Sequence, residues 1–215
     1  MTGGSKMTSA RIYPIVDSAE WVGRLLPLGV RLVQLRIKVG SAAEVRSEIR
    51  QARELCLRAG AQLIVNDYWL FALAEGCDFV HLGQGDLDTA DVPALRKAGV
   101  RIGISTHDDA ELARALTFQP DYVALGPIYP TTLKVMPWSP QGLERITEWK
   151  RRIGKTPLVA IGGLTAERLP GVFDAGADIA AVVSDIVQSP DPERRTREWL
   201  LTAARGTSQS TGGQP

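Results

Sequence analysis

The chain has 215 residues, of which 44% are hydrophobic and 23% charged, values typical of a globular protein with a substantial buried core. Its net charge of +1, from 25 basic and 24 acidic residues, argues against nucleic acid or an anionic membrane surface as a partner. No apolar run approaches the roughly 20 residues that a membrane-spanning helix needs, so we expect no membrane partner.

Short β-branched or apolar segments alternate eight times with amphipathic segments of helical period along the chain. The predicted strands span residues 11–16, 31–36, 62–66, 79–82, 101–105, 122–126, 158–162 and 179–183. The predicted helices span residues 19–28, 42–59, 68–75, 92–98, 109–117, 141–153, 166–174 and 192–204. Glycines precede several of the strands, and we expect them to end the preceding helices in the left-handed conformation; they are Gly29, Gly60, Gly76, Gly99 and Gly176.

Eight strand–helix units in about 200 residues predict an α/β fold, a single (β/α)8 TIM barrel. A doubly wound sheet is the rival, but it usually has fewer units and leaves unpaired edges. No linker divides the chain, so we predict one catalytic domain over residues 10–205. Residues 1–9 and 206–215 are rich in Gly, Ser, Thr and Gln and are predicted to be disordered tails.

The two cysteines, Cys56 and Cys77, stand apart from any CxxC or His-rich segment. We expect two buried, reduced thiols rather than metal or redox ligands. Residues 1–10 contain no apolar core of the signal-peptide type. We therefore expect a cytoplasmic location.

Polar residues collect where the predicted strands end, which is where barrel enzymes carry their chemistry. Asp67 and Asp86 follow neighbouring strands, and two carboxylates there suit Mg²⁺ together with substrate phosphates. Arg36, Lys38 and Lys134 supply positive charge for such a phosphate. The alternative is structural: Asp67 would cap the next helix and Asp86 would form a turn.

A second group of residues follows the seventh and eighth strands, the frequent phosphate site of barrels. Gly162 and Gly163 let backbone N–H groups approach an oxyanion, and Val183 and Ser184 end the eighth strand beside them. The alternative is a tight turn that merely requires glycine. The residues thus predict two phosphate subsites around one mouth, one of them assisted by a metal.

The two histidines receive different interpretations. His81 lies within a strand and is expected to be a hydrogen-bonded core residue. His107 follows the fifth strand, so it stands near the mouth and could contact a ligand. The sequence 108–111 after it resembles a helix start, which leaves a structural interpretation open as well.

Six motifs, in order on the predicted strand ends, resemble those of the thiamine phosphate synthase family, and the resemblance runs from Tyr13 to about Leu201. The motifs are Val33-Gln34-Leu35-Arg36-Ile37-Lys38, Ile64-Val65-Asn66-Asp67, His81-Leu82-Gly83-Gln84, Gly103-Ile104-Ser105-Thr106-His107, Gly126-Pro127-Ile128-Tyr129-Pro130-Thr131 and Ala160-Ile161-Gly162-Gly163. The resemblance implies a transferase of thiamine biosynthesis with two phosphorylated substrates, an aminopyrimidine-methyl diphosphate and a thiazole phosphate. The family releases diphosphate and forms thiamine phosphate.

The resemblance also implies roles for individual residues. The pyrimidine diphosphate would be held by the strand-two segment with Leu35 and Ile37 and by the polar residues Gln34, Arg36, Lys38, Asn66, Ser105 and Lys134. The magnesium ligands would be Asp67 and Asp86. The thiazole phosphate would be held by Thr131, Thr132, Leu133, Gly163, Val183 and Ser184. The family's mechanism is dissociative and needs no protein nucleophile, so Arg36, Lys38, Ser105 and Lys134 would act by stabilising charge.

Two positions depart from the family's usual pattern. Gly85 replaces a glutamate, and Leu133 interrupts a loop that commonly reads Thr-x-Thr-Lys. Leu133 removes a hydroxyl near the thiazole phosphate, so weaker binding of that substrate is expected. Two alternatives stay open: a thiazole tautomerase of the same fold, with His107 as acid–base residue, and a non-catalytic phosphate-binding barrel. Homo-oligomerisation is also left open.

Overall fold

Eight parallel strands close into a barrel in the computed structural model, which describes residues 10–131 and 138–205. The strands are β1 Ile12–Val16, β2 Leu32–Leu35, β3 Gln62–Asn66, β4 Phe79–Leu82, β5 Arg101–Thr106, β6 Tyr122–Leu125, β7 Leu158–Ala160 and β8 Ile179–Val182. Each strand pairs with its neighbours in sequence, and β1 pairs with β8 to close the sheet. The predicted (β/α)8 barrel is confirmed, whereas the predicted tails lie outside the described residues.

Helices follow the strands and cover the outside of the barrel. They are α1 Ala19–Leu25, α2 Ala42–Ala59, α3 Trp69–Ala74, α4 Val92–Lys97, α5 Asp109–Thr117, α6 Gly142–Ile153, α7 Leu169–Asp174, α8 Ser184–Val187 and α9 Pro192–Arg205. Local signals explain several of the starts: Ser41 and Glu44 form a capping box on α2, and Asp108 accepts a hydrogen bond from the Glu111 backbone N–H on α5. Of the described helices, none is long and apolar enough to cross a membrane.

Most observed elements differ from the predicted ones by one to three residues at one or both ends. The first predicted helix finishes as a 3₁₀ turn at Leu26–Leu28, and the seventh begins with one at Ala166–Arg168. Two short elements are not among the predicted helices: the 3₁₀ turn Asp86–Asp88, where the sequence offered a turn only as an alternative, and the four-residue helix α8. Such single turns are too short to produce a hydrophobic period, so the sequence pattern carries no signal for them.

Strand alternation divides the buried side chains into two layers. Residues pointing into the barrel form the smaller layer: Tyr13, Ile15, Leu32, Ile64, Phe79, Tyr122, Ala124, Val159, Ile179 and Ala181. Residues pointing outward pack against the helices in the larger layer, which includes Leu35 and the fully buried Trp149 and Trp199. The interior is therefore a packed core, as is typical of this barrel fold.

Polar side chains close the amino-terminal end of the barrel. Arg101 donates to Asp78 at 2.8 Å and to Gln62 at 2.5 Å, and its guanidinium lies 4.4 Å from the centre of the Phe79 ring. These contacts involve no residue of the opposite end. The two ends of the barrel thus have separate tasks, stability here and ligand binding at the carboxyl ends.

Candidate active site

A cavity of about 480 Å³ lies at the carboxyl ends of the strands. The structure brings ten of the predicted site residues to its wall: Gln34, Arg36, Asn66, Asp67, Asp86, Ser105, Thr131, Gly163, Val183 and Ser184. They come from β2, β3, β4, β5, β6, β7 and β8 or from the loops that follow them. Residues spread over 150 positions of sequence therefore share one space because parallel strands all end at the same face.

Three predicted residues do not line this cavity. Leu35 is buried in the outer core, because it alternates with the inward-facing Gln34 and Arg36. Ile37 packs against the same outer layer, and Lys38 is exposed on the loop after β2. Thr132, Leu133 and Lys134 lie outside the described residues.

Asp67 and Asp86 form a carboxylate pair at the ends of the adjacent strands β3 and β4. The Asp67 backbone is left-handed, with φ of 60°, and its N–H donates to the His81 carbonyl at 3.0 Å. Burial, followed by the charge and the hydrogen bond of the nearby Asp86, raises the pKa of Asp67 to about 6, against smaller opposing effects of Arg36 and Asn66. Two carboxylates in such contact are stabilised by a cation.

Of the two structural roles considered for these residues, a helix cap for Asp67 and a turn for Asp86, only the turn is observed. The N-cap of α3 is Tyr68, with no side-chain hydrogen bond, so Asp67 does not cap that helix. Asp86 does begin a turn, and its carboxylate accepts a hydrogen bond from the Gly83 N–H at 2.8 Å. The Asp86 carboxylate therefore both closes this turn and contacts Asp67.

The carboxylate pair is the strongest candidate for holding a metal. Within residues 10–131 and 138–205, no three His, Cys, Asp or Glu side chains are grouped so as to hold an ion. Mg²⁺ typically binds through one or two carboxylates and completes its shell with water and substrate phosphate. The donor set of Asp67 and Asp86 fits that pattern and does not fit a closed site built from protein alone.

The opposite side of the cavity is formed by the turns after β7 and β8. Gly163 has φ of 65°, and an added β-carbon would collide with the Pro130 carbonyl and the Tyr129 side chain. Only glycine fits there, so the backbone of this turn can lie close to a ligand. Ser184, at the start of α8, lines the same cavity.

Arg195 of α9 ties these two turns together. Its guanidinium donates to Asp185 of α8 at 2.8 and 3.1 Å and to Glu167 at 2.8 Å through each of two nitrogens. Asp185 also accepts from Trp199 Nε1 at 2.6 Å. Hydrogen bonds from Arg195 lower the pKa of Glu167 to about 2. The arrangement fixes the distance between the turn after β7 and the turn after β8.

His107 lies on the wall of the cavity, as one of its two interpretations proposed. Its Nδ1 is 2.7 Å from Glu111 Oε2, and its backbone N–H donates to the same oxygen at 2.8 Å. The imidazole stacks on Trp138, with ring centres 4.0 Å apart and an interplanar angle of 12°. Asp108 caps α5 and Glu111 lies in its first turn, so the helix-start interpretation is correct too.

A chain of hydrogen bonds crosses the barrel beneath the cavity and joins five side chains; we call it the buried chain. Gln34 Nε2 donates to the Tyr13 hydroxyl at 2.8 Å, and the Tyr13 and Tyr122 hydroxyl oxygens are 3.1 Å apart. His81 Nδ1 is 2.6 Å from the Tyr122 hydroxyl, and His81 Nε2 is 2.7 Å from Ser105 Oγ. The expectation that His81 is a hydrogen-bonded core residue is confirmed.

Several residues of this site were not identified from the sequence. Glu111 could have been noticed, because it stands four positions after His107 on a predicted helix. Gln84 donates to the Ser105 carbonyl at 2.8 Å, while its buried Oε1 has no partner in the described part of the chain. No sequence pattern marks Tyr13, Tyr122 or Arg195 as part of the site, because their positions look like those of ordinary core or surface residues.

Sequence comparison relates the chain to one family. The sequence model described as thiamine monophosphate synthase matches residues 8–186. The thiamine-phosphate synthase of Rhizobium etli is 61% identical over 192 residues, covering 89% of this chain and 94% of that protein. The thiamine-phosphate synthase of Cronobacter sakazakii is 49% identical over 195 residues, covering 91% of this chain and 93% of the relative.

Structural comparison agrees with this relation. The thiamine phosphate pyrophosphorylase from Pyrococcus furiosus superposes with a TM-score of 0.82 at 26% sequence identity. The match covers 94% of this chain and 99% of that one. The whole barrel is therefore shared, including the end that carries the cavity.

Proposed function

This chain belongs to the thiamine monophosphate synthase family, and we propose that the cavity at the carboxyl ends of its strands is where the two substrates of that family meet. The chain is an enzyme that condenses 4-amino-2-methyl-5-(diphosphooxymethyl)pyrimidine with 4-methyl-5-(2-phosphooxyethyl)thiazole, giving thiamine phosphate and diphosphate. One observation carries the proposal for the site. A single cavity has the carboxylate pair and the Arg36 guanidinium on the side of β2–β4, and the glycine turn and Ser184 on the opposite side, at the carboxyl ends of β7 and β8.

The diphosphate of the pyrimidine substrate is assigned to the side of β2–β5. Arg36 places a guanidinium group on the cavity wall, and Ser105 and Asn66 add a hydroxyl and an amide. An anion with several charged oxygens needs such donors when it is removed from water. Lys38 and Lys134 belong to this subsite on the strength of the family motifs alone, Lys38 being exposed on its loop.

The thiazole phosphate is assigned to the side of β7 and β8. Gly163 brings its turn close to a ligand, and Ser184, Val183 and Thr131 share the same part of the wall. Backbone N–H groups and hydroxyls bind a phosphate monoester without a metal. Thr132 and Leu133 join this subsite by family resemblance.

Magnesium is the proposed cofactor, held by Asp67 and Asp86 together with the substrate diphosphate. The raised pKa of Asp67, caused by burial and then by Asp86, supports this assignment. It shows that the ionised pair is unfavourable by itself, and a bound cation would stabilise it. When bound, Mg²⁺ supplies charge neutralisation at the leaving diphosphate. The chain's own residues orient both substrates around it.

The reaction itself is proposed to be dissociative. The bond between the methylene carbon and the bridging oxygen breaks, and the diphosphate leaves with the electron pair. The pyrimidine ring carries the resulting positive charge until the thiazole nitrogen donates its lone pair to the same carbon. Arg36 and Ser105 stabilise the leaving group, and the apolar wall formed by Ile15, Ile161 and Leu164 keeps water from competing. No step requires a protein nucleophile.

A steady-state experiment with both substrates and Mg²⁺ tests the two subsites. We expect Arg36→Gln to lower kcat and raise the KM for the pyrimidine diphosphate only, and Ser184→Ala to raise the KM for the thiazole phosphate only. Matched controls are Arg58→Gln and Ser47→Ala on the exposed face of α2, which should behave as wild type. A loss that affects both substrates equally in both site variants would refute the division into subsites.

A separate measurement tests dissociation. Pyrimidine substrate with ¹⁸O in the bridging position is incubated with enzyme and Mg²⁺ and recovered before turnover is complete. Dissociation and return scramble the label into non-bridging positions. Recovery of unscrambled substrate under conditions of slow capture would contradict the dissociative order.

We further propose a cytoplasmic location. Cys56 and Cys77 are both buried and free of disulfide bonds, as expected of a protein kept in a reducing compartment. Cell fractionation tests this: synthase activity should be recovered with cytosolic marker enzymes.

A further inference from the structure

The direction of the buried chain follows from the orientation of the Gln34 amide at one of its ends. Gln34 Nε2 is a donor, so the Tyr13 oxygen accepts there. In the described part of the chain, Tyr13 has only one other hydroxyl partner, Tyr122, to receive its own hydrogen. Tyr122 then donates to His81 Nδ1, which makes Nε2 the protonated nitrogen of His81.

The consequence falls on Ser105. His81 Nε2–H donates to Ser105 Oγ, so the Ser105 hydroxyl hydrogen is not used within the chain. Ser105 lines the cavity, and no other acceptor contacts its Oγ among the described residues. We infer that Tyr122 and His81 are positioning residues of the reaction, which hold the Ser105 hydroxyl as a hydrogen-bond donor aimed at the leaving diphosphate. This inference rests on the proposed placement of the pyrimidine diphosphate in the cavity.

Tyr13, Tyr122 and His81 are all uncharged in the fold. Each of them then donates one hydrogen bond along the buried chain, and all of these bonds run in the same direction. Burial lowers the pKa of His81 to about 4, with smaller contributions from the charges of Arg36 and His107. Burial likewise raises the pKa values of the Tyr13 and Tyr122 hydroxyls above their ordinary range. A neutral histidine between a phenol and a serine has two tautomers, and only one of them leaves Ser105 free to donate.

Packing holds the chain in place. An added β-carbon at Gly103 would overlap the Tyr122 ring, so this strand residue of β5 makes room for the ring. The Tyr122 ring also stacks on His81, with centres 5.6 Å apart and an interplanar angle of 12°. Both rings are buried and have little freedom to turn. A structure that merely filled space would not need four consecutive polar contacts here.

The first test reads the tautomer directly in the wild-type protein. The chain contains two histidines, so ¹⁵N-histidine labelling yields two ring systems, and the His107→Gln variant assigns the signals of His81. We expect His81 to be protonated at Nε2 and unprotonated at Nδ1. The Nδ1–H form would mean that the chain runs in the reverse direction and consumes the Ser105 hydrogen, which would overturn the inference.

The second test is a double-mutant cycle. Ser105→Ala should lower kcat by about 10- to 100-fold, as loss of a hydrogen bond to a charged group does. Tyr122→Phe should lower kcat several-fold with a smaller change in KM, because His81 loses the donor that sets its tautomer. In the Ser105→Ala background, Tyr122→Phe should cost much less, since its effect acts through Ser105.

Tyr13→Phe is the matched control, because it removes a hydroxyl from the same buried layer. Tyr122 then still has His81 Nδ1 as the acceptor for its hydrogen, so kcat should be largely preserved. The Gln34 amide loses its acceptor, so the KM for the pyrimidine diphosphate should rise. A further pair of variants tests His81 itself. His81→Leu removes the donor to Ser105, whereas His81→Gln supplies an amide N–H in place of Nε2–H, so His81→Gln should retain a higher kcat than His81→Leu.

The outcomes separate the two proposals. A structural role would make the kcat losses of Tyr122→Phe and Ser105→Ala additive. It would also make the kcat losses of Tyr13→Phe and Tyr122→Phe equal. This pair of results would overturn the inference. Full activity of Ser105→Ala alone would overturn both the inference and the role of Ser105 in the proposed function. The labelling experiment uses no destabilising variant at the buried chain, so it decides the direction even if Tyr122→Phe folds poorly.

Discussion

Replacing Asp67 with Asn should make the metal-free protein more stable while it destroys activity. Burial and the Asp86 charge raise the pKa of Asp67 to about 6 in the fold, above its ordinary value of 3.8. The raised pKa corresponds to at most about 3 kcal/mol, and because Asp67 is exposed to the cavity, solvent screening reduces the expected gain to about 1 kcal/mol. Asn tolerates the left-handed backbone at this position, so the substitution adds little strain.

The pH dependence follows from the direction of the pKa change. Below pH 3.8 the carboxyl is protonated in both the folded and the unfolded state, and no cost exists. The cost grows as pH rises toward 6 and is complete above it, because the folded state then holds an unfavourable charge. Asp67→Asn should therefore raise the melting temperature by about 2–4 °C at pH 8 and by less at pH 5.

Thermal unfolding with a chelator, and again with Mg²⁺, is the assay. Mg²⁺ should raise the melting temperature of wild type more than that of Asp67→Asn, because a ligand stabilises only the protein that binds it. Asp88→Asn is the control, since Asp88 lies on the adjacent turn in an exposed ion pair with Arg114 and should change stability and activity little. A metal-free Asp67→Asn protein less stable than wild type at pH 8 would refute the reasoning.

Three further predictions concern other parts of the site. His107→Ala should keep substantial synthase activity, because the condensation needs no protein acid or base; a loss above about 100-fold, the low end of general acid–base catalysis, would contradict this. Arg195→Met should raise the KM for the thiazole phosphate several-fold and leave that for the pyrimidine diphosphate unchanged, because it unlinks Asp185 from Glu167; equal changes in both would contradict a local role. Gly163→Ala should lower the melting temperature and abolish thiazole-phosphate binding, since its left-handed turn has no room for a β-carbon; unfolding scans and titration of that substrate measure both.

The order and type of the elements could be predicted from the sequence because they depend on local patterns. β3 and β4 have the predicted bounds, and so do α2 and α5, where a capping residue or a clear apolar period marks the ends. The five glycines expected to end helices all have positive φ. Strand ends also located much of the cavity wall, because every parallel strand of a barrel points its carboxyl end toward the same face.

Side-chain direction within a motif was only partly readable. The strand-two motif contains Gln34, Leu35 and Arg36 in succession, and alternation sends Leu35 outward while its neighbours face the cavity. Lys38 lies beyond the strand, where alternation no longer applies, and is exposed. A motif therefore names a segment, and the strand geometry selects which of its residues can reach a ligand.

By itself, the sequence determined the barrel, the family and the acidic and glycine turns at its mouth, because hydrophobic period, turn residues and motifs are local properties of the chain. Only the tertiary structure decided that Tyr13, Tyr122 and His81 join Gln34 to Ser105, and that Arg195 links the two turns of the phosphate side. These contacts connect residues up to 109 positions apart. Their existence depends on barrel closure, which brings distant strands within hydrogen-bonding distance and leaves no trace in the pattern of any one segment.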